Sequence, residues 1–299
     1  MHNLIRTTTD IEEGLKRTQK GLHREKREFL RAHIGRLKAA YMDYDNHAAN
    51  GTLHEIKPLW KDAADDTQEE KSEKQRNRDL AKGLYGSNRP VINKHWEELK
   101  GLNGNSTLIC PICGIHECSE MDHYIPISVM HEYSVHLTNL IPLCHYCNHQ
   151  KLEKWLNEAS HERIIFNAYF DKDIPQPVIH CIISLSETDN LPEINVEQNP
   201  ELKEDNPLHR VILSTIETLG LMECFRSTMR IVFKEELIRL ESIFRNRLPN
   251  MSAKERWDEV KRCYQANIEH HGNRFFLNEC MYSAIIHSRI MEQWFIGIE

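Results

Sequence analysis

Along the first forty residues, apolar side chains recur at helical spacing: Leu15, Leu22, Phe29, Leu30, Ile34 and Leu37 predict one helix over residues 10–41. The turn-rich run YDNHAANGT, residues 44–52, is expected to end it. A very polar stretch, residues 61–86, reads as a solvated helix or a mobile connection with apolar anchors at Leu80, Leu84 and Tyr85. Residues 87–102 predict a turn around Pro90 and then a short helix. Between residues 101 and 160 the pattern changes in kind. GLNGNSTLICPICG is a turn-rich approach to a cysteine knuckle, EMDHYIPIS alternates like a strand, and NLIPLC is a second short extended piece. Proline limits both pieces to strand ends or edges. From Cys144 onward Leu152, Trp155 and Leu156 form an apolar stripe on a predicted helix. Knuckle, strand, loop, strand, knuckle and helix make a compact ββα unit.

Downstream, a strand is expected near residues 178–185, and the acidic, proline-bearing segment 187–207 reads as a connection. Residues 208–247 and 255–298 then give two or more long amphipathic helices, the first stripe starting at Ile212, Ile216, Leu219, Leu221 and Phe225. The fold class is α+β and mostly helical. Its expected regions are a helical front (1–100), a central core (101–160), a strand with an acidic connection (161–207) and a helical back (208–299).

Composition narrows this little. The chain has 299 residues, 40% hydrophobic and 28% charged, as in soluble globular proteins. No apolar run is long enough to span a membrane, and the start MHNLIRTTTDIEEGLKR lacks an apolar signal core, so a cytoplasmic protein is expected. The net charge of −7 argues against binding nucleic acid through bulk charge. Basic residues nevertheless crowd between Lys16 and Lys38, a solvated helix face or a phosphate-contacting track, and acids crowd between Glu187 and Asp205.

Nine cysteines are many for a reducing compartment. Cys181, Cys224, Cys263 and Cys280 are scattered and read as ordinary buried thiols. Four others form the pairs Cys110-Pro-Ile-Cys113 and Cys144-His-Tyr-Cys147, with 30 residues between them. Two intervening residues let both sulfurs of a pair converge on one ion, and Zn2+ held by four thiolates is a closed structural site. Gly114 eases the turn after the first pair. Closing both knuckles brings Asp122 and His123 near Asn148 and His149. A neutral imidazole can take a proton from water, and a carboxylate and an amide oxygen are hard ligands that suit Mg2+ or Mn2+. His116, His131, His136 and His145 read as solvated.

These residues, as CPICG, MDHYIPIS and TNLIPLC-HYCNHQK, resemble the HNH endonuclease family over about residues 106–155. That resemblance implies a ββα-metal fold braced by zinc, with His123 as general base and Asp122 as a ligand of the catalytic metal. It implies Asn139 as the residue that steadies the loop and orients the base, Asn148 as a further metal ligand with His149 its alternative, and Lys151 near a phosphate. The implied activity is metal-dependent hydrolysis of nucleic acid, with DNA the expected substrate. DYDNH near residue 45 and FNAYFD at residues 166–171 are also similar to pieces of standalone HNH proteins of retron and Septu-type phage-defence systems, which work beside an ATPase partner. The competing reading is a non-catalytic, zinc-braced subunit that binds nucleic acid or docks a partner.

Overall fold

A computed structural model describes residues 1–7, 10–103, 107–172, 177–246, 251–271 and 276–297. Residues 104–106 of the expected turn before the first knuckle lie outside that set. Among the described residues are ten α-helices and two separate two-stranded antiparallel sheets. The chain divides into two compact units, Asn3–Asp173 and Ile174–Glu299, the latter with Met1–His2.

In the first unit the single helix expected over 10–41 is two: α1 (Ile11–Lys20) and α2 (Arg24–Ala49). Asp10 caps α1 by accepting from the Glu12 and Glu13 amides, Gly21 closes it, and Arg27 donates to the Leu22 carbonyl at the break. The apolar stripe survives the break, with Leu15, Leu22, Phe29, Leu30 and Leu37 all buried. Helix α2 also runs through most of the expected terminator and stops only at Asn50 and Gly51 (φ +74°). The reason is tertiary, because Tyr44 and Asp45 point inward and bond to distant side chains.

The polar stretch becomes α3 (Gln68–Ser87), started by a reciprocal Thr67–Glu70 capping box. It is no mobile connection: Asn77, Ala81 and Leu84 are buried, and Ser134 donates to the Ala81 carbonyl at 2.6 Å. Helix α4 (Arg89–Leu102) takes Pro90 into its first turn, where a turn ahead of the helix was expected. Strands β1 (Glu120–His123) and β2 (Leu140–Leu143) pair in the register Glu120↔Leu143 to His123↔Leu140. Between them the chain makes two 3-10 turns, His131–Val135 and Leu137–Asn139. Helix α5 (His145–Lys151) is shorter than its stripe suggested, since Leu152 turns the chain at φ +49° and is exposed while Trp155 enters the core.

In the second unit the acidic connection contains a strand. β3 (Ile179–Leu185) and β4 (Pro192–Gln198) form a hairpin closed by Ser186 N–H donating to the Leu191 carbonyl, with Asn190 at φ +59°. Pro192, Ile194 and Val196 alternate inward while Glu193, Asn195 and Glu197 face solvent, so the acids hid a period-two pattern. Five helices follow: α6 (Pro207–Thr218), α7 (Leu221–Asn246), α8 (Ala253–His271), α9 (Phe276–His287) and α10 (Arg289–Ile296). Phe225, Met229 and Phe233 of α7 and Trp257 and Tyr264 of α8 are buried. Of the four scattered cysteines only Cys181 and Cys280 are buried; Cys263 is exposed and Cys224 is partly so.

Burial of His95 on α4 pushes its imidazole down to about 4. The unfolded chain therefore binds this proton first. Stability is complete above about pH 6.5 and is lost as pH falls toward 4, by roughly 3 kcal/mol. Denaturant midpoints compared at pH 7 and pH 4 should show this loss, and His95→Phe should reduce it.

Candidate active site

The site is assembled on two strands and one short helix by sulfur. The Sγ atoms of Cys110, Cys113, Cys144 and Cys147 all lie within 4.8 Å of one another and all four residues are buried. A tetrahedral Zn2+ with bonds of about 2.3 Å requires sulfurs about 3.8 Å apart, and Cys113 Sγ and Cys144 Sγ are 3.8 Å apart. Gly114 sits at φ +66°, and the Cys147 amide donates to Cys144 Sγ at 3.4 Å, so both knuckles are wound for metal. The donor set fits structural zinc. Cys118 is buried nearby but outside the four. His116, expected in solvent, leans its Nδ1 toward the cluster, 3.8 Å from Cys113 Sγ and 4.0 Å from Cys144 Sγ.

With the knuckles closed, α5 lies along β1, and two parallel links join them. Glu120 and Asp122 project from one face of the strand, while Asn148 and Lys151, three residues apart, share one face of the helix. Asn148 Nδ2 donates to Glu120 Oε2. Lys151 Nζ lies 2.8 Å from Asp122 Oδ2 as an ion pair, and its aligned hydrogen bond goes to the His123 carbonyl at 2.7 Å. Asp122 Oδ2 is shut off from solvent and accepts no hydrogen bond. Lys151 is itself buried, so it braces the strand and is not exposed to a phosphate. Glu120 also accepts from exposed His145 at 2.7 Å; that contact first, and Asn148 second, hold its carboxyl below the usual range. His149 is exposed and stacks on His145 with ring centroids 6.0 Å apart.

His123 takes the other direction. Its Nε2 lies 2.9 Å from the Ser134 carbonyl, and its ring meets Tyr85 of α3 edge to face at 4.5 Å. A carbonyl only accepts, so Nε2 carries the proton and the neutral ring keeps its lone pair on Nδ1. Burial lowers the imidazole's pKa from its ordinary value. Tyr85 in turn donates to the Met121 carbonyl at 2.9 Å.

Asn139 is fully buried and bonds with every polar position of its amide. Oδ1 accepts from Tyr44 Oη at 3.0 Å and from the Ile125 amide at 2.8 Å, and Nδ2 donates to the Ile125 and Tyr133 carbonyls at 3.2 and 3.3 Å. It thereby fixes the loop that carries the Ser134 carbonyl. Beside it His136, expected in solvent, is buried: it stacks on Tyr41, and it and Thr138 share Asp45 Oδ1 at 3.1 and 2.6 Å. His131 is half-buried.

Sequence reasoning missed Glu120 and Tyr85 as site residues. Glu120 had a signal, since it stands two positions before Asp122 on an alternating strand. Tyr85 had none, lying in a helix whose partner was unknown. Part of the basic run between Lys16 and Lys38 is paired within the unit, through Lys16 and Lys38 with Glu12, Arg17 with Glu98 and Arg24 with Glu28, with Lys26 donating to the Gly83 carbonyl, while Lys20, Arg31 and Arg36 are exposed.

A zinc-braced ββα core with an imidazole and a carboxylate at the end of its first strand defines a class of nucleic-acid hydrolases. Residues 110–154 match the family model described as HNH endonuclease, so the middle of this chain is an HNH endonuclease domain, which implies nuclease chemistry on nucleic acid. Over 67 residues the chain is 39% identical to Protein ea31 of Escherichia phage lambda; the match spans 22% of this chain and 22% of that protein. No solved structure matches. No described helix is long and apolar enough to cross a membrane.

Two measurements check this construction. Elemental analysis should give one zinc per chain, and its removal by a strong chelator should expose four thiols and unfold the core, since binding and folding are one free energy here. Tyr44→Phe, which leaves Asn139 Oδ1 with a single donor, should lower stability by about 1 kcal/mol in denaturant unfolding.

Proposed function

We propose that this protein is a metal-dependent endonuclease that hydrolyses phosphodiester bonds, with DNA as the expected substrate. The observation that carries the reading is the orientation of His123. Its Nε2 is held on a backbone carbonyl and burial keeps the ring neutral, so Nδ1 is an acceptor for the proton of an attacking water. Asp122 and Asn148 are the residues that would hold the catalytic cation, Mg2+ or Mn2+. Asp122 supports this as the carboxylate beside His123, with its buried Oδ2 already paired to Lys151 at 2.8 Å so that a cation would share the carboxylate with that amine, and Asn148 is preferred to His149 because it is tied to β1. Such a cation polarises the phosphate and stabilises the departing oxygen. As the water oxygen bonds to phosphorus its proton passes to Nδ1, and the leaving oxygen takes a proton from solvent. Asn139 holds the loop on which the base rests.

On the looser resemblance we further propose that the nuclease works in phage defence beside an ATPase, with the helical back region (208–299) as docking surface. The short pieces behind it have folding roles of their own. Tyr44 and Asp45 of DYDNH grip Asn139, His136 and Thr138, and Asp171 of FNAYFD pairs with Arg163 at 2.9 Å. Co-purification from the native host tests the partnership separately from the chemistry.

The chemistry is tested by a panel of single- and double-stranded DNA and RNA, with and without Mg2+ or Mn2+. Wild type should cut only with metal, and His123→Ala should lose about 10^2- to 10^4-fold in rate with its zinc retained. The acid limb of the pH–rate profile should fall below the ordinary histidine value, because protonated His123 is no base and burial lowers its pKa. A variant that cuts at the wild-type rate removes His123 from the mechanism. Salt-dependent binding without cleavage under any metal would establish the non-catalytic reading instead.

A further inference from the structure

Glu120 is a residue of this site that the sequence reading left unassigned, and its contacts define a specific task. It opens β1 two positions before Asp122, so both carboxylates leave the same face of the strand. Its Oε2 accepts from Asn148 Nδ2, and its Oε1 lies 2.7 Å from His145 Nδ1. Asn148 and His145 stand three residues apart on α5, so one carboxylate grips two successive positions of one helix face.

An ionised carboxylate can only accept hydrogen bonds, whereas an amide presents an oxygen on one side and an NH2 group on the other. Contact with Glu120 therefore sorts the Asn148 amide: Nδ2 is drawn to the carboxylate and Oδ1 is left on the opposite side. The reversed amide would set two acceptors against each other. This matters for a cation, because the side-chain torsion of asparagine is broad and roughly two-fold, and an unsorted amide would offer its NH2 group to the metal in much of the population. The neighbouring link shows the same division of labour, with Lys151 bracing Asp122 as Glu120 braces Asn148.

We propose that Glu120 is a positioning residue that fixes the Asn148 amide with Oδ1 toward the catalytic cation. This rests on the reading of Asn148 as a cation ligand. It makes Glu120 the outer partner of a ligand, and the loss of such partners costs about 10- to 100-fold in metal affinity.

The test is Mn2+ binding to the full-length, zinc-loaded protein, followed by electron paramagnetic resonance and calorimetry, with cleavage measured in parallel. Glu120→Ala should weaken Mn2+ binding by about 10- to 100-fold. Glu120→Gln should recover most of that loss, because its amide oxygen still accepts from Asn148 Nδ2. In an Asn148→Asp background, where both ligand oxygens are equivalent and need no sorting, Glu120→Ala should have no further cost. Zinc content and thermal unfolding report whether each variant is folded, and if Glu120→Ala is not, the Gln variant and the Asp-background pair decide.

The positioning role is overturned, and the nuclease reading left standing, if wild type binds Mn2+ and cuts while folded Glu120→Ala binds Mn2+ equally well. It is also overturned if the Gln variant is as weak as the Ala variant, since charge and not orientation would then be what Glu120 supplies. The converse split is equally visible: a Glu120-dependent Mn2+ site in a protein that cuts nothing keeps the positioning role and removes the nuclease. A wild type that neither binds Mn2+ nor cuts overturns both.

Discussion

Four buried sulfurs gathered within 4.8 Å of one another are the constraint on which the functional geometry of this protein depends. They come from two segments separated by 30 residues. Thiolates this close repel one another in a dry interior, so the cluster is tenable only around a dication. Once it is closed, the start of α5 is fixed beside the start of β1. The polar links between strand and helix follow from that juxtaposition: Glu120 to Asn148 and His145, Asp122 to Lys151, and Lys151 to the His123 carbonyl.

The opposite side of the strand is governed by a different set of forces. Here hydrogen bonds, not sulfur, fix the loop between β1 and β2. Asn139 satisfies all four positions of its amide, and Tyr44 supplies one of them from a helix 95 residues away in sequence. The Ser134 hydroxyl anchors the same loop to α3. These contacts place a backbone carbonyl under the His123 ring and thereby decide which of its nitrogens can accept a proton. A buried polar network of this kind is costly if one member is removed, which is why its members have so few unmet partners.

The helices of the first unit frame the site, since Tyr44 and Asp45 of α2 and Ala81 and Tyr85 of α3 bond to the strand and loop that carry it. Some of the positive charges that crowd α1 and α2 pair with acids in the same helices or in α4, and Lys26 and Arg27 donate to backbone carbonyls. The polar helix α3 contributes through its narrow buried face, with Ala81 and Leu84 packed inward and Tyr85 set against the imidazole.

Much of the core was legible along the chain because its signals are local. Cysteine pairs with a two-residue gap, an Asp-His pair on an alternating segment and short extended pieces broken by proline are all short-range patterns, and they led to β1, β2 and the sulfur cluster. What stayed hidden depends on partners distant in sequence. The expected terminator at residue 44 became helix because Tyr44 and Asp45 bond to residues 136–139. The acidic connection became β4 because Ile194 and Val196 cover an apolar face that exists only once β3 lies beside it. Helix α5 stopped early because Leu152 takes a left-handed backbone turn that sends Trp155 inward. The residue types of the site were thus set by sequence alone. Which nitrogen of His123 is free, where Lys151 points and that Glu120 meets Asn148 were decided by tertiary structure, since hydrogen-bond direction and burial are properties of neighbours and not of spacing.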